Sequence, residues 1–448
     1  MFTAHAGNRT WRFALLLALS SILVSGLPVK LRVLQSAEPL AAEGIVGVPE
    51  GTIAATDWPW WRGPHRNGIA PASARPPVEW SESKNLLWRT PIPGRGHSSP
   101  TVVGKRVFLT TADEVKKSQL ALCFDRATGK LLWQVQLHQG GFDHNNKKNS
   151  FASSTIACDG QRLFVVFWNQ GAIWTTALDL QGERLWQVKV ADFVSHQGYS
   201  ASPVIYQNLV VVAADSKGKG TSCLLAMDRQ TGKEVWQVKR PKMPNYVSPI
   251  IFKLAGKDQL LMAGCELMSG FDPRTGKVIW ECPGSTTECV GSVVASQGLV
   301  FASGGYPKHE TLCVRADGSN EILWRNRVKV YVPSLLAYQG YVYAVTDNGV
   351  TYCWEARTGK EMWKDRLPGG FSASPMLAAG LIYITSEQGK TLVFKPNPKR
   401  LEIVASNSLG QDVFASAVFS GEDLFLRTTF QENGRQEYLC CLRNVPAR

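Results

Sequence analysis

From about residue 97 onward, runs that are apolar at nearly every position give way to runs in which apolar and polar residues alternate, with polar, glycine-containing breaks between them. Eight units begin alike, on a Ser- or Pro-containing start: HSSPTVV, ASSTIAC, YSASPVI, YVSPII, VGSVVA, VPSLLAY, FSASPML and FASAVFS. Each start leads through a polar or glycine turn into a β-branched, aromatic-rich run such as GKRVFLTT, QNLVVVAA or GYVYAVT, the composition of a buried second strand. An alternating strand follows and runs into a turn of the form Asp-x-x-Thr-Gly-Lys, where glycine supplies a positive φ, Asp and Thr bond the turn backbone, and lysine stays in water. A fourth strand then carries a tryptophan. A solenoid of helix pairs is excluded by this composition.

Six tryptophans close such phrases: FDRATGKLLW at Trp133, LDLQGERLW at Trp186, MDRQTGKEVW at Trp236, FDPRTGKVIW at Trp280, ADGSNEILW at Trp324 and WEARTGKEMW at Trp363. Their intervals of 53, 50, 44, 44 and 39 residues drift as the length of a four-stranded propeller blade does. Two units lack the phrase. In the seventh, KRLEIVASN places Val404 at the tryptophan position, so that blade is degenerate. The eighth stops at EYLCCLR, a third strand with no fourth, while LLWRTPI, from Leu86 to Ile92, is a fourth strand with no predecessor. Trp88 is therefore expected to complete the last blade, which removes the open sheet edges a ring would otherwise expose. The expected fold is all-β, an eight-bladed β-propeller of four-stranded antiparallel blades over residues 84–443, preceded by an extended lead-in segment over 27–83.

The repeated phrase, small-x-Asp-x-x-Thr-Gly-x-x-x-Trp, resembles that of the quinoprotein or PQQ-like repeat family, and the resemblance covers roughly residues 84 to 443. DWPWWRGPHRNGIAP, from Asp57 to Pro71, likewise resembles the Asp-Trp-Pro segment that precedes the first blade in such proteins. The resemblance implies that Trp88, Trp133, Trp186, Trp236, Trp280, Trp324 and Trp363 dock across the neighbouring blade. Each would stack on a small residue of the next repeat and donate its indole N–H to backbone. Trp58, Trp60 and Trp61 are expected to plug one face or the flank of the ring, the alternative being a polar binding edge made by Arg62, His65 and Arg66.

Fifteen tryptophans, forty glycines and 19% charged residues suit a turn-rich all-β protein. Arg9 and Arg12 precede the apolar run FALLLALSSILV, followed by Ser25 and Gly26, which predicts a secretory signal peptide over 1–26. Cleavage as late as 42 is compatible with the sequence, and an uncleaved membrane anchor is the competing reading. No cysteine precedes Cys123, so no lipid anchor is expected there. Nothing after the signal approaches the roughly 20 apolar residues of a spanning helix, so a monomeric periplasmic or secreted protein is expected. The net charge of +13 is dispersed over Lys116-Lys117, Lys147-Lys148, Lys217 to Lys219 and Lys239 to Lys242. No recognition helix or RNA-binding sheet motif accompanies these charges, which argues against nucleic acid and makes an acidic glycan the sensible anionic partner.

Ten cysteines raise the disulfide question in an exported chain. Cys123, Cys313, Cys353 and Cys440 fill a repeated slot on the third strand and read as small buried side chains. Cys282 and Cys289 flank a short inter-blade loop and are the best candidates for a local disulfide. Cys440-Cys441 falls on a strand of the closing blade, the wrong place for the neighbour disulfide found beside the cofactor in quinoprotein alcohol dehydrogenases.

Innermost strands line the channel of a propeller, so ligand-binding groups are sought at the eight starts. The starts carry His97, Ser98, Ser153, Tyr199, Ser200, Tyr246, Ser248, Tyr331, Phe371, Ser372 and Phe414, with Glu288 and Asp412 the only close acids, and the candidates for the channel mouth are His97, Ser98, Tyr199, Tyr246, Tyr331, Phe371 and Phe414. Quinoprotein dehydrogenases hold pyrroloquinoline quinone and calcium through Glu, Asn and Asp side chains, with a further Asp as base. A hard cation needs several oxygens converging on one point, and a ring of hydroxyls and aromatics is a different donor set. No Cys-x-x-Cys-His haem motif and no G-x-S-x-G occurs. No catalytic residue, metal or cofactor is therefore expected, and a PQQ- and calcium-dependent dehydrogenase is the alternative. Similarity to the outer-membrane assembly lipoproteins implies a cofactor-free ring acting through its loops. The expected role is an exported scaffold that binds a periplasmic or cell-envelope protein, a glycan or a small ligand at the channel mouth and inter-blade loops. Among those loops, HQGGFDHNNKKNS brings His138, Asp143 and His144 together with two lysines, and His196 of DFVSHQGY is expected nearby. A ligand or transient metal contact is one reading of this loop. A plainly solvated loop is the other, since the spacing lacks that of a zinc enzyme.

Overall fold

A computed structural model describes residues 46–49, 52–218, 220–432 and 434–445. The signal-peptide expectation falls outside the described residues. Eight four-stranded antiparallel sheets make an eight-bladed β-propeller. In the first blade the chain runs outward through Thr101–Val103, Arg106–Asp113, Ser118–Asp125 and Leu131–Gln139, and six further blades repeat this order. The eighth contains Val418–Ser420, Asp423–Gln431 and Arg435–Leu442, and its outer strand is Leu86–Ile92 from the other end of the chain, with Trp88 opposite Cys441 and Ile92 opposite Glu437.

The burial of each strand follows its place in the blade. Second and third strands are covered on both faces by neighbouring blades and are buried almost throughout, as in Leu209–Ala214 and Cys223–Asp228. Fourth strands have one face in solvent, and Leu86–Ile92 alternates accordingly. The closing seam carries two buried ion clusters. Asp423 receives Arg126 Nε at 2.8 Å and Arg443 Nε at 2.6 Å, while Glu437 receives Arg427 Nε at 2.8 Å and Arg435 Nη2 at 2.9 Å. Each carboxylate is thus paired twice, which offsets the cost of burying its charge.

Successive blades are locked by the tryptophans. Trp88, Trp133, Trp186, Trp236, Trp324 and Trp363 donate their indole N–H to the carbonyls of Arg126, Leu180, Arg229, Pro273, Ala356 and Asn397, each in the next blade, at 2.8–3.2 Å. Trp280 departs from this rule. Its indole donates to Gln259 Oε1 of its own blade at 2.6 Å, and Gln259 Nε2 donates at 2.9 Å to Ala316 O of the next, so one amide relays the contact. The residue opposite each tryptophan is small: Cys441, Cys123, Ala177, Ala226, Gly270, Cys313 and Cys353. Opposite Trp280 that residue is Gly270, where any Cβ would meet the indole at 2.3 Å, so this ring tips back over its own strand. In the degenerate blade the tryptophan position is Ala405, paired with Val393, and not Val404. The turn before it closes from Lys395 to Glu402, two residues longer than the turn from Glu355 to Lys360 in the preceding blade, so the position falls later along the chain.

All ten cysteines are buried free thiols. Cys282 packs in an apolar cluster while Cys289 Sγ lies 3.2 Å from Ser285 Oγ, so the disulfide expected between them is not formed. Burial pushes the thiols of Cys123, Cys313 and Cys353 up to about 12, which leaves them protonated and inert.

The lead-in segment crosses one face of the ring. Trp58 exchanges backbone hydrogen bonds with Val102, Pro59 O receives Cys158 N, and Ala70 N donates to Leu377 O. Arg62 and Arg66 are fully buried within this crossing, so neither forms the polar binding edge that was the alternative. Arg62 Nη2 donates to Leu335 O at 2.8 Å, and Arg66 Nη2 donates to Ile205 O at 2.8 Å while its guanidinium lies over Trp60. Burial pulls both guanidinium groups down to about 9.

Candidate functional site

With one face crossed by the lead-in segment, the channel becomes a blind cavity of about 300 Å³, floored by Trp61. Its wall is two stacked rings of eight positions, one pair from each unit start. The upper ring is His97, Ser153, Ser200, Tyr246, Val290, Val332, Ser372 and Phe414. Two residues deeper lies a ring made wholly of hydroxyls: Ser99, Thr155, Ser202, Ser248, Ser292, Ser334, Ser374 and Ser416. An extended chain turns alternate side chains to the same side, so positions n and n+2 of each start face the channel.

The same alternation explains which expected mouth residues reach the cavity. His97, Tyr246 and Phe414 belong to the upper ring, and Tyr331 reaches the mouth from a neighbouring position. Ser98, Tyr199 and Phe371 are out of phase and do not line it. Ser98 is buried in the closing seam under Arg427, Tyr199 donates its hydroxyl to Ala213 O at 2.9 Å, and Phe371 packs in the core between blades. Apart from Ser248, the members of the hydroxyl ring escaped notice in the sequence because Ser and Thr at strand starts read as packing residues. The signal was present as a hydroxyl two residues after each upper-ring position.

The hydroxyl ring is a directed hydrogen-bond circuit. The backbone N–H of each member donates to the hydroxyl oxygen of the next blade: Ser99 to Thr155, Thr155 to Ser202, Ser202 to Ser248, Ser292 to Ser334, Ser334 to Ser374, Ser374 to Ser416 and Ser416 to Ser99, at 2.8–3.1 Å. Among the described residues, the step from Ser248 to Ser292 has no such bond. There Trp61 Nε1 donates to Ser292 Oγ at 2.8 Å instead.

At the mouth, the His97 ring stacks on Phe414 with centroids 4.2 Å apart. Burial first, then the charges of Arg95, Arg427 and Arg435, hold His97 well below the usual histidine range, so it is neutral at pH 7. Tyr331 donates its hydroxyl to Glu288 Oε2 at 2.9 Å, and His196 Nε2 lies 3.2 Å from Glu288 Oε1. Asp347 spends both oxygens on the backbone N–H groups of Tyr331 and Val332.

The loop between blades one and two folds over this mouth as a strap. Asn146, Lys148 and Asn149 line the cavity, Asn149 Nδ2 donates to Gln197 O at 2.8 Å, and Lys148 Nζ reaches Glu387 of the seventh blade at 3.0 Å. The histidines expected to meet here do not. His138 lies in the strand Leu131–Gln139, edge-on to Phe167, and burial with the nearby Arg184 pulls it down to about 4. His144 is exposed on the strap, while His196 is held by Glu288. Among the described residues, no three His, Cys, Asp or Glu side chains converge in a way that would hold a metal ion.

This architecture has known counterparts. The outer membrane protein assembly factor BamB of Yersinia pestis is 22% identical over 360 residues, covering 79% of this chain and 78% of that protein. The crystal structure of BamB from Moraxella catarrhalis superposes with a TM-score of 0.57 at 13% identity, covering 79% of this chain and 98% of that one. The quinohemoprotein alcohol dehydrogenase ADHIIG from Pseudomonas putida HK5 superposes with a TM-score of 0.62 at 12% identity, over 91% of this chain and 84% of that one. At such identities the two superpositions speak for the fold alone. The sequence pattern of one family matches residues 116–337 and 333–397, more than half of the chain. By that match the chain belongs to the family described as outer membrane protein assembly factor BamB, a propeller of PQQ-like repeats.

Proposed function

We propose that the protein is an exported, non-catalytic scaffold that engages a cell-envelope protein through the rim of its channel mouth. The observation that carries this reading is the strap. A polar inter-blade loop is drawn across the open face and tied to Glu387 and Gln197, so that Asn146, Lys148 and Asn149 stand at the rim with their backbone positions fixed. Loops held on a rigid ring are where recognition concentrates. Family membership and the basic, apolar N-terminal run support placement in the envelope. At the rim Lys148 is paired with Glu387, and Glu288 is held by Tyr331 and His196, which favours a protein partner over an acidic glycan.

The dehydrogenase alternative needs a quinone and a calcium ion held by several free carboxylate or amide oxygens. Glu288, Asp347 and Glu387 at the mouth, and Asp412 two residues before Phe414, are each already engaged by protein donors. The donor set does not fit the metal, and no reaction step is assigned.

Photo-reactive amino acids placed singly at Asn146 and Gln197, with Lys360 on an outer turn as control, test the scaffold in living cells. Discrete cross-linked adducts are expected from the two rim positions alone. Equal labelling from Lys360, or none from the rim, would count against it.

A further inference from the structure

The cavity beneath the rim has a chemistry of its own. Each residue of the deep ring is at least 95% buried, and seven of the eight hydroxyls accept a backbone N–H from the blade before while that of Ser292 accepts the Trp61 indole. A serine or threonine hydroxyl has one proton to give and two lone pairs. Among the described residues, none of the eight donates its proton to a protein acceptor, so each keeps one donor and one acceptor site for whatever occupies the channel. That is the hydrogen-bonding capacity of an alcohol. A site built only to take an anion would present donors alone.

The upper ring supplies the complementary surface. His97 and Phe414, stacked ring on ring, form an aromatic block on one side of the mouth, Tyr246 and Tyr331 stand elsewhere on it, and Val290 and Val332 fill an apolar arc. Among the described residues, the formally charged side chains on the lining are Lys148 and Asp347, one of each sign, and both are already bonded to protein. At about 300 Å³ the cavity sits at the small end of the range for ligand pockets, on the order of 300–1,000 Å³.

We infer that the blind channel is a binding site for a neutral, ring-shaped polyol the size of one pyranose sugar, its hydroxyls meeting the deep ring and its C–H surface packed against the aromatic block of His97 and Phe414. Aromatic rings against C–H surfaces and alcohols against alcohols is a pairing that neither a peptide nor a phosphate satisfies as fully. This inference rests on the reading of the channel mouth as a binding surface. It adds what lies below the rim: a neutral sugar unit seated in the channel, for instance the end of a glycan carried by the partner or by the envelope.

Saturation-transfer NMR on the full chain tests it, with methyl α-glucopyranoside as the neutral probe and glucuronate and inorganic phosphate as charged ones. Transfer to the pyranose ring protons is expected at millimolar sugar. It should weaken at least tenfold in Phe414→Ala, and again in the strap variant Asn149→Ala, each with its melting temperature measured alongside to show that it is folded. Absence of transfer from the folded wild-type protein would overturn the inference, as would preferential binding of glucuronate or phosphate, or affinity unchanged in both variants. The two readings fail separately: rim cross-links without sugar binding remove only the polyol site, and sugar binding without rim cross-links removes only the scaffold.

Discussion

Glycine in the repeated turn answers two demands at once. Gly129, Gly232, Gly276 and Gly359 hold φ of +70 to +73°, and a Cβ at each would meet the indole of the preceding blade's tryptophan at 2.4–2.8 Å. Gly359→Ala should therefore pay twice: about 1–2 kcal/mol for left-handed backbone and about 1–3 kcal/mol for crowding Trp324. Gly340→Ala has φ of +80° with nothing within 4 Å and should cost only the first amount. Chemical denaturation of the two variants checks this, and equal losses would mean that the turn glycine is not part of the lock. The phrase itself was legible because it recurs. The exception at Trp280 was not, because its partner is Gln259, twenty-one residues away on a buried strand where nothing local marks a glutamine as a relay. The deep hydroxyls were legible one strand at a time, but their meaning lies in the circuit they make around the channel, which no single unit shows.

Among the elements, the outer strand Leu86–Ile92 has the largest consequence for assembly. It supplies the fourth strand of the last blade, pairs along Arg435–Leu442 and sends Trp88 into the first blade. A chain lacking residues 86–92 leaves the edge Arg435–Leu442 unpaired, and exposed edges recruit other strands. The expected outcome is self-association by light scattering together with a lower melting temperature. A stable monomer with an unchanged melting temperature would show that closure does not depend on this strand. Closure was readable from unit counting alone, since a missing fourth strand at one end matched a surplus one at the other. The position of Ala405 was not readable, because the turn from Lys395 to Glu402 lacks the Thr-Gly-Lys phrase and is longer than in the other blades, so nothing local fixes the count.

At the scale of the whole molecule, the lead-in segment turns a ring with two openings into a cup. It buries Trp58 and Trp60 together with Arg62 and Arg66, whose charges are solvated by main-chain carbonyls and by the Trp60 face. Starting the chain at residue 79 keeps the closing strand and removes this floor. A loss of at least about 5 kcal/mol is expected, since burial of each large aromatic is worth about 3–5 kcal/mol. Equilibrium unfolding in urea measures it, and an unchanged midpoint would mean that the floor is not integral to the fold.

The Trp61 bond to Ser292 also decides something about direction. The eight hydroxyls of the deep ring would by themselves offer a guest eight equivalent orientations about the channel axis. Because the floor interrupts the circuit at one step only, the axis has a marked bearing, like the single notch on a dial. A guest lacking rotational symmetry would therefore meet one preferred heading, and the rim above it would always display the same side of whatever that guest is attached to.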